Sequence, residues 1–433
     1  MTQTLLKTLS RLNSPTVHRL ANGLTIVAEQ IPTEAVNLNV WLDVGSAIES
    51  DSINGMAHFL EHMVFKGTDR LESGQFERLI EERGAKTNAA TSQDYTHYYI
   101  TTAPKDFADL APLQLDVVLN ACIPDRAFER ERLVILEEIR RFEDNPRRRT
   151  FQRAVEIAFD SLPYRRPVLG PAAVIEQLTP QQMRDFHRTW YRPQSMTVAV
   201  VGQLPVSELI DIVEASVEQA HIHEPVEIDD RALLQSLPNY SPEPAFETIV
   251  RRDIVDSSLQ QARLIMVWRV PGLTELGQTY APDILASILG QGRTSRLTRD
   301  LREERGLVSS VSATNITYGM QGAFYISAQL PTENVAIVES LIVEHVRALH
   351  TELITEAEIA RVRTQVANRF VFGNETPSDR ANLYGYYQAI VGDLAPALDY
   401  PTRIQALDAL DLQAAAQQHL SPDAYGVVVL RPA

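Results

Sequence analysis

The segment Leu79-Ile80-Glu81-Glu82-Arg83-Gly84-Ala85 recurs 222 positions later as Leu301-Arg302-Glu303-Glu304-Arg305-Gly306-Leu307. A repeat of so long a period means one structural unit used twice, which constrains the fold more than any local propensity. Other pairs follow the same order. Val40-Trp41-Leu42-Asp43-Val44-Gly45 resembles Val267-Trp268-Arg269-Val270-Pro271-Gly272. Leu178-Thr179-Pro180 and Tyr191-Arg192-Pro193 are matched at an offset of 229 by Leu407-Asp408-Ala409 and Leu420-Ser421-Pro422. A β-rich run follows each late copy, Met196 to Val201 and Tyr425 to Leu430. The repeat predicts two homologous domains, 1–220 and 246–433, joined by a polar, proline-containing linker over 221–245. Strands and helices do not strictly alternate within either half. The expected class is therefore α+β, with a mixed or antiparallel sheet and helices packed mainly on one face of each domain.

The chemistry is concentrated in His58-Phe59-Leu60-Glu61-His62, an H-x-x-E-H motif. On a helix, positions 58, 61 and 62 fall within about one turn on one face. Met56, Phe59, Leu60, Met63 and Val64 form an adjacent apolar stripe. Asn54-Gly55 supplies a start signal, and Lys66-Gly67-Thr68 a stop. Two neutral imidazoles on one face occupy two positions of a zinc ion, and the glutamate between them is placed to handle a proton. The plainer reading is two surface histidines and a solvated carboxylate. The offset of 222 lands on Tyr280 and Ile284, so the second half carries no matching histidine pair and only the first half is expected to bind metal.

A catalytic zinc usually has a third protein ligand. The stretch Asp125 to Asp144 reads as a helix with Asp125 as N-cap, an apolar face of Phe128, Ile135, Leu136, Ile139 and Phe142, and a stop at Asn145-Pro146. Glu131 and Glu138 share a face that borders the apolar one, whereas Glu137 points away. Most charges here suit an exposed helix with i,i+4 pairs, which leaves the two carboxylates at the core border unexplained.

H-x-x-E-H with a glutamate 76 positions after His62 resembles the pitrilysin-type M16 metallopeptidases, which include insulin-degrading enzyme and the mitochondrial processing peptidase. The resemblance runs from Val17-His18-Arg19-Leu20-Ala21-Asn22-Gly23-Leu24-Thr25 to near Val429. It implies one Zn2+ per chain on His58, His62 and Glu138, with Glu131 orienting a ligand histidine. It also implies a zinc-dependent endopeptidase in which Glu61 takes the proton of the attacking water and substrates are enclosed in a chamber between domains. Asn88-Ala89-Ala90-Thr91 resembles a sheet edge beside the metal, to which a peptide substrate adds as an extra strand through main-chain contacts. Arg380 and Tyr387, seven apart, resemble an arginine-tyrosine pair that contacts the substrate from a facing domain. Tyr384 and Tyr386 are neighbouring alternatives to Tyr387. In a two-domain chain such a pair reaches a metal site only across a subunit interface. The resemblance thus implies a homodimer in which Arg380 and Tyr387 complete the other subunit's site, or else a heterodimer. The rival reading is a non-catalytic or partner-dependent subunit of an M16-type heterodimer, and the intact metal residues count against it. Gly290-Gln291-Gly292-Arg293 lacks the lysine of a phosphate loop and reads as a turn.

With 40 basic against 56 acidic residues and a net charge of −16, the chain offers no basic stripe for nucleic acid and suits basic peptides instead. No apolar run reaches the ~20 residues of a membrane span. The N-terminal stretch lacks the apolar block of a secretory signal and reads as a short arm. One cysteine, Cys122, reads as a buried small hydrophobe and fits a reducing, cytoplasmic location.

Overall fold

A computed structural model describes residues 14–220 and 240–433. The N-terminal arm and most of the expected linker lie outside these residues. The first six-stranded sheet runs β1 (Thr16–Arg19), β2 (Thr25–Gln30), β6 (Met196–Gly202), β3 (Val36–Leu42), β5 (Thr96–Thr102) and β4 (Lys86–Thr91). The β2–β6 pair is parallel and the other pairings are antiparallel, so the sheet is mixed. The second sheet has the order β7 (Val250–Val255), β11 (Gly426–Arg431), β8 (Ala262–Pro271), β10 (Gln321–Leu330) and β9 (Ser310–Ile316), again with one parallel pair. The α+β expectation is met in both halves.

Alternation along the strands decides which face is covered. Ile26, Ala28, Leu38, Val40, Tyr98, Ile100, Val198 and Val200 point to one side of the first sheet and are fully buried in its main core. That core also takes the apolar stripe of α1 (Met56–Met63), Phe76 and Ile80 of α2 (Gln75–Glu82), and α3 (Pro104–Leu119). Side chains between them, including Val27, Ala199 and Val201, turn to the other face.

The compact units are not continuous in sequence. One is built from the described residues within Met1–Ile139, Arg166–Asn239 and Phe370–Asp399, and the other from Arg140–Arg165, Tyr240–Arg369 and Tyr400–Ala433. The division at 221–245 therefore marks the order of the repeats and not the composition of the units. Helix α4 (Asp125–Asp144) carries the chain into the second unit, where α5 (Pro146–Ala158) packs on β8 and β11. In return, α9 (Pro377–Tyr386), from the second half, packs on β3 and β6 of the first sheet. The two exchanged helices start alike. Asn145 and Thr376 accept hydrogen bonds from the first free backbone N–H groups, and a proline follows each cap. Between α5 and α9 lie α6 (Val206–Gln219), α7 (Tyr280–Gly290) and α8 (Val335–Thr351), whose apolar faces complete the two cores.

Candidate functional site

Helix α1 begins at Gly55, whose φ of +98° suits glycine. A β-carbon there would lie 2.7 Å from the carbonyl oxygen of Leu169. Its N-terminus is held by a residue that helix signals do not reveal. The buried Glu49 carboxylate accepts hydrogen bonds from the backbone N–H groups of Gly55 (2.8 Å) and Ala57 (2.7 Å), and from the Asn54 side chain (2.9 Å). An anion at the positive end of the helix is stabilising, although burial still pushes Glu49 up to about 7. Phe59 stacks on Phe128 of α4 with ring centroids 4.5 Å apart, which fixes α1 against α4. The Arg132 guanidinium lies over the Phe128 ring at 5.0 Å and donates to the carbonyl of Leu178.

This packing brings His58, His62 and Glu138 together. Oε2 of Glu138 lies 3.6 Å from Nε2 of His58 and 3.7 Å from Nε2 of His62. Bonds of about 2.0–2.1 Å to a tetrahedral zinc give ligand–ligand edges of roughly 3.3–3.4 Å, close to the two Glu138 distances, and the three donor atoms all lie within 4.8 Å of one another. The donors suit zinc chemically: burial, then the neighbouring His62, lowers His58 to about 3, which keeps that imidazole neutral. Nδ1 of His58 is buried without a hydrogen-bond partner among the described residues. The Glu138 side chain keeps 36% of its surface exposed, leaving the cluster open to solvent.

Glu131 sits against the His62 ring nitrogen opposite the one near Glu138. It lies 2.9 Å from Nδ1 of His62, and a proton on that nitrogen leaves Nε2 as the free donor. Lys66 salt-bridges its second oxygen at 2.8 Å. The bond to His62 and the charge of Lys66 hold Glu131 down to about 2. Burial pulls His62 downward, but the bond to Glu131 and the surrounding carboxylates outweigh it and leave the ring above its ordinary value.

Glu61 sits on the same helix face. Burial raises its pKa, opposed by a hydrogen bond that Thr91 Oγ1 donates to Oε2 at 2.6 Å. Thr91 ends β4, the edge strand of the first sheet. Asn88, Ala89, Ala90 and Thr91 pair on one side with Tyr99, Tyr98, His97 and Thr96 of β5. The opposite edge has no strand among the described residues. His97 takes part in no metal cluster among the described residues; it stacks on Trp41 at 4.3 Å and bonds to Asn39 at 3.0 Å.

Arg380 and Tyr387 are placed elsewhere. Helix α9 lies on the sheet face opposite α1, where Ala381 and Tyr384 pack on Val27, Ala199 and Val201. Arg380 pairs with the buried Glu29 at 2.9 Å and donates to the carbonyl of Asn374 at 2.8 Å. Tyr384 donates to the same Glu29 carboxylate at 2.7 Å. Tyr387 starts a π-helical turn, packs at the rim of this small core and meets Tyr386 edge-on. Within one chain the pair is thus on the far side of the sheet from the metal helix. Cys122, expected to be buried, is half-exposed and lies 3.4 Å from an Asp69 oxygen. Phe142, expected in the core face of α4, is half-buried and belongs to the second unit. Sequence reasoning missed Glu49, Lys66 and Glu29, which act through partners distant in sequence or through backbone groups that carry no motif.

Residues 25–172 match the family model described as Insulinase (Peptidase family M16), and residues 177–366 match the one described as Peptidase M16 inactive domain. The second match starts before the end of the first half and extends to residue 366 of the half without the histidine pair. A zinc protease of Mycobacterium leprae (strain TN), itself uncharacterised, is 30% identical over 421 residues, covering 95% of this chain and 91% of its own. The probable mitochondrial-processing peptidase subunit beta of Arabidopsis thaliana is 26% identical over 413 residues, 93% of this chain and 76% of its own. A crystal structure of a protease from Helicobacter pylori matches with a TM-score of 0.89 at 25% identity, covering 97% of this chain and 99% of that one. No helix among the described residues is long and apolar enough to cross a membrane. Full-length likeness to zinc proteases, two consecutive family models and a cluster of two histidines and a glutamate lead to one conclusion: the chain belongs to peptidase family M16, a family of metallopeptidases.

Proposed function

We propose that the protein is a zinc endopeptidase acting on extended peptides that add to β4. The observation that carries this reading is the hydrogen bond from Thr91 to Glu61, which ties the proton-handling carboxylate to the strand that would hold the substrate. His58, His62 and Glu138 would hold the zinc, with Glu131 keeping His62 in the required tautomer. When bound, the ion supplies Lewis acidity that acidifies water and polarises the scissile carbonyl. The chain's own residues do the rest. The free edge of β4 presents backbone donors and acceptors, so Asn88 to Thr91 align an extended peptide with little regard to its side chains. Thr91 occupies one oxygen of Glu61 and leaves the other to take the proton of the attacking water. Glu61 then returns that proton to the departing amine.

A homodimer fits the placement of α9, because Arg380 and Tyr387 can meet a metal site of this kind only in a second subunit. Arg380 is committed to Glu29, and Tyr387 is the member of the pair assigned to contact substrate there. Light scattering on an active preparation tests the pairing, and full activity in a monomer refutes it. For the chemistry, Glu61→Gln is expected to retain one zinc per chain and lose about two to four orders of magnitude in turnover. Metal analysis beside a quenched-peptide assay reads both, and loss of the metal in this variant would contradict the role of Glu61.

A further inference from the structure

The second unit contains a groove of about 1010 Å³ over the open part of its sheet. Its floor is the outward face of β8, β10 and β9, and one wall is the start of α5. A volume of this order accommodates a few residues of extended peptide. Strand β9 is the edge of that sheet, and Ser310, Ser312 and Thr314 stand exposed along it. In the repeat it occupies the place that β4 holds in the first sheet.

The charge of the groove runs against that of the molecule. The chain carries −16, yet Arg147, Arg148 and Arg263 line the groove and no acidic side chain does. Nearby arginines are neutralised: Arg149 by Asp256, Arg153 and Arg252 by Glu156, and Arg269 by Glu243. The three groove arginines have no carboxylate partner among the described residues. Arg148 instead lies over the Phe142 ring at 5.8 Å. Arg263 is depressed by burial and by the like charge of Arg147, so the folded chain holds two guanidinium groups together at a cost. The second independent observation is Tyr325. Its side chain is 2% exposed and lines the floor, and its hydroxyl has no hydrogen-bond partner among the described residues. A buried, unsatisfied hydroxyl costs free energy unless something bonds to it.

We propose that this groove binds the carboxylates of an acidic, extended peptide segment, with Arg147, Arg148 and Arg263 as the anion clamp and the Tyr325 hydroxyl as a neutral donor. Guanidinium forks match carboxylates in two-point geometry, and the hydroxyl row of β9 suits the intervening main chain. The groove shares no residue with the candidate zinc cluster, and its reading stands whether or not the peptidase reading does.

The test is fluorescence anisotropy with a labelled peptide of alternating Glu and Ala, amidated at its C-terminus, on the full-length zinc-loaded protein carrying Glu61→Gln to prevent cleavage. Saturable binding that weakens with added salt is expected, with the Lys-Ala counterpart much weaker. Arg147→Gln combined with Arg263→Gln should weaken binding about tenfold or more, and Tyr325→Phe about threefold at unchanged melting temperature. Tyr325→Phe keeps the packing and so carries the test if the double variant is unstable. A parallel peptide with a free C-terminal carboxylate separates the two sources. Equal binding assigns side-chain carboxylates, and dependence on the free acid assigns the chain terminus. Binding unaffected by the arginine and tyrosine variants would overturn the proposal. So would equal affinity for the Lys-Ala peptide, or tighter binding of a single-stranded oligonucleotide of the same charge.

Discussion

Single side chains decide how this site handles protons. In the proposed mechanism Glu61 must be ionised to accept one, and burial holds its carboxyl above the ordinary carboxylate value. The acid limb of turnover should therefore lie at higher pH than for a solvated glutamate, with activity rising as pH climbs through the raised value. Thr91 opposes that shift through its hydrogen bond. Thr91→Val should move the acid limb to still higher pH, read from pH–rate profiles on zinc-saturated protein. A limb that stays put or moves to lower pH would show that Thr91 does not tune Glu61. Glu131 acts one step further out. Glu131→Gln should lower zinc affinity about 10–100-fold while leaving the ligands in place, measurable by competition with a chromophoric chelator.

At the scale of elements, the unusual feature is a helix from the second half seated on the first sheet. Its contact is close: a β-carbon on Gly385 would lie 2.1 Å from Nε1 of Trp41. Helix propensity alone favours alanine over glycine by about 1 kcal/mol in a helix interior. Here the sign should reverse. Gly385→Ala should destabilise the protein by about 1–3 kcal/mol through overpacking, read by thermal or denaturant unfolding. A stabilising or neutral result would mean that α9 is not seated on Trp41 as described. The polar layer beneath α9 is held by specific pairs, with Asn39 donating to Asn382 at 2.7 Å and Arg380 and Tyr384 sharing Glu29. Such a layer suits one docking geometry, since any slip leaves buried charge unpaired.

Across the whole molecule, zinc and the exchanged helices bear on the same property. Metal bound only by the folded state stabilises it by mass action, by about 4 kcal/mol at a thousandfold excess over Kd. The cluster spans α1 and α4 of the first unit, but each unit contains a segment from the other half of the chain. Neither unit can lose its fold without removing a helix from the sequence neighbourhood of the other. Calorimetry with and without zinc should therefore show one transition that moves as a whole. Two separate transitions, of which zinc shifts one, would show that the exchange does not couple the units.

Much of this was legible in the chain itself, because it depends on local periodicity. The repeat around Leu79 and Leu301 reported two α+β halves, and the spacing of His58, Glu61 and His62 reported their shared helical face. The small-residue run after Gly84 reported a strand, and the sheet order then made it an edge. Helical phase also put Glu131 and Glu138 on one side of α4, but phase alone cannot distinguish a ligand from a solvated carboxylate. That choice was made by tertiary packing, which stacked Phe59 on Phe128 and so brought Glu138 to the histidines and Glu131 behind His62. Packing alone also set Glu49 under the metal helix, took Arg380 to Glu29 and gathered into one groove three arginines that have no carboxylate partner among the described residues. Each of these is a meeting of residues far apart in sequence, and burial energy summed over whole elements, not any local pattern, selects which distant surfaces meet.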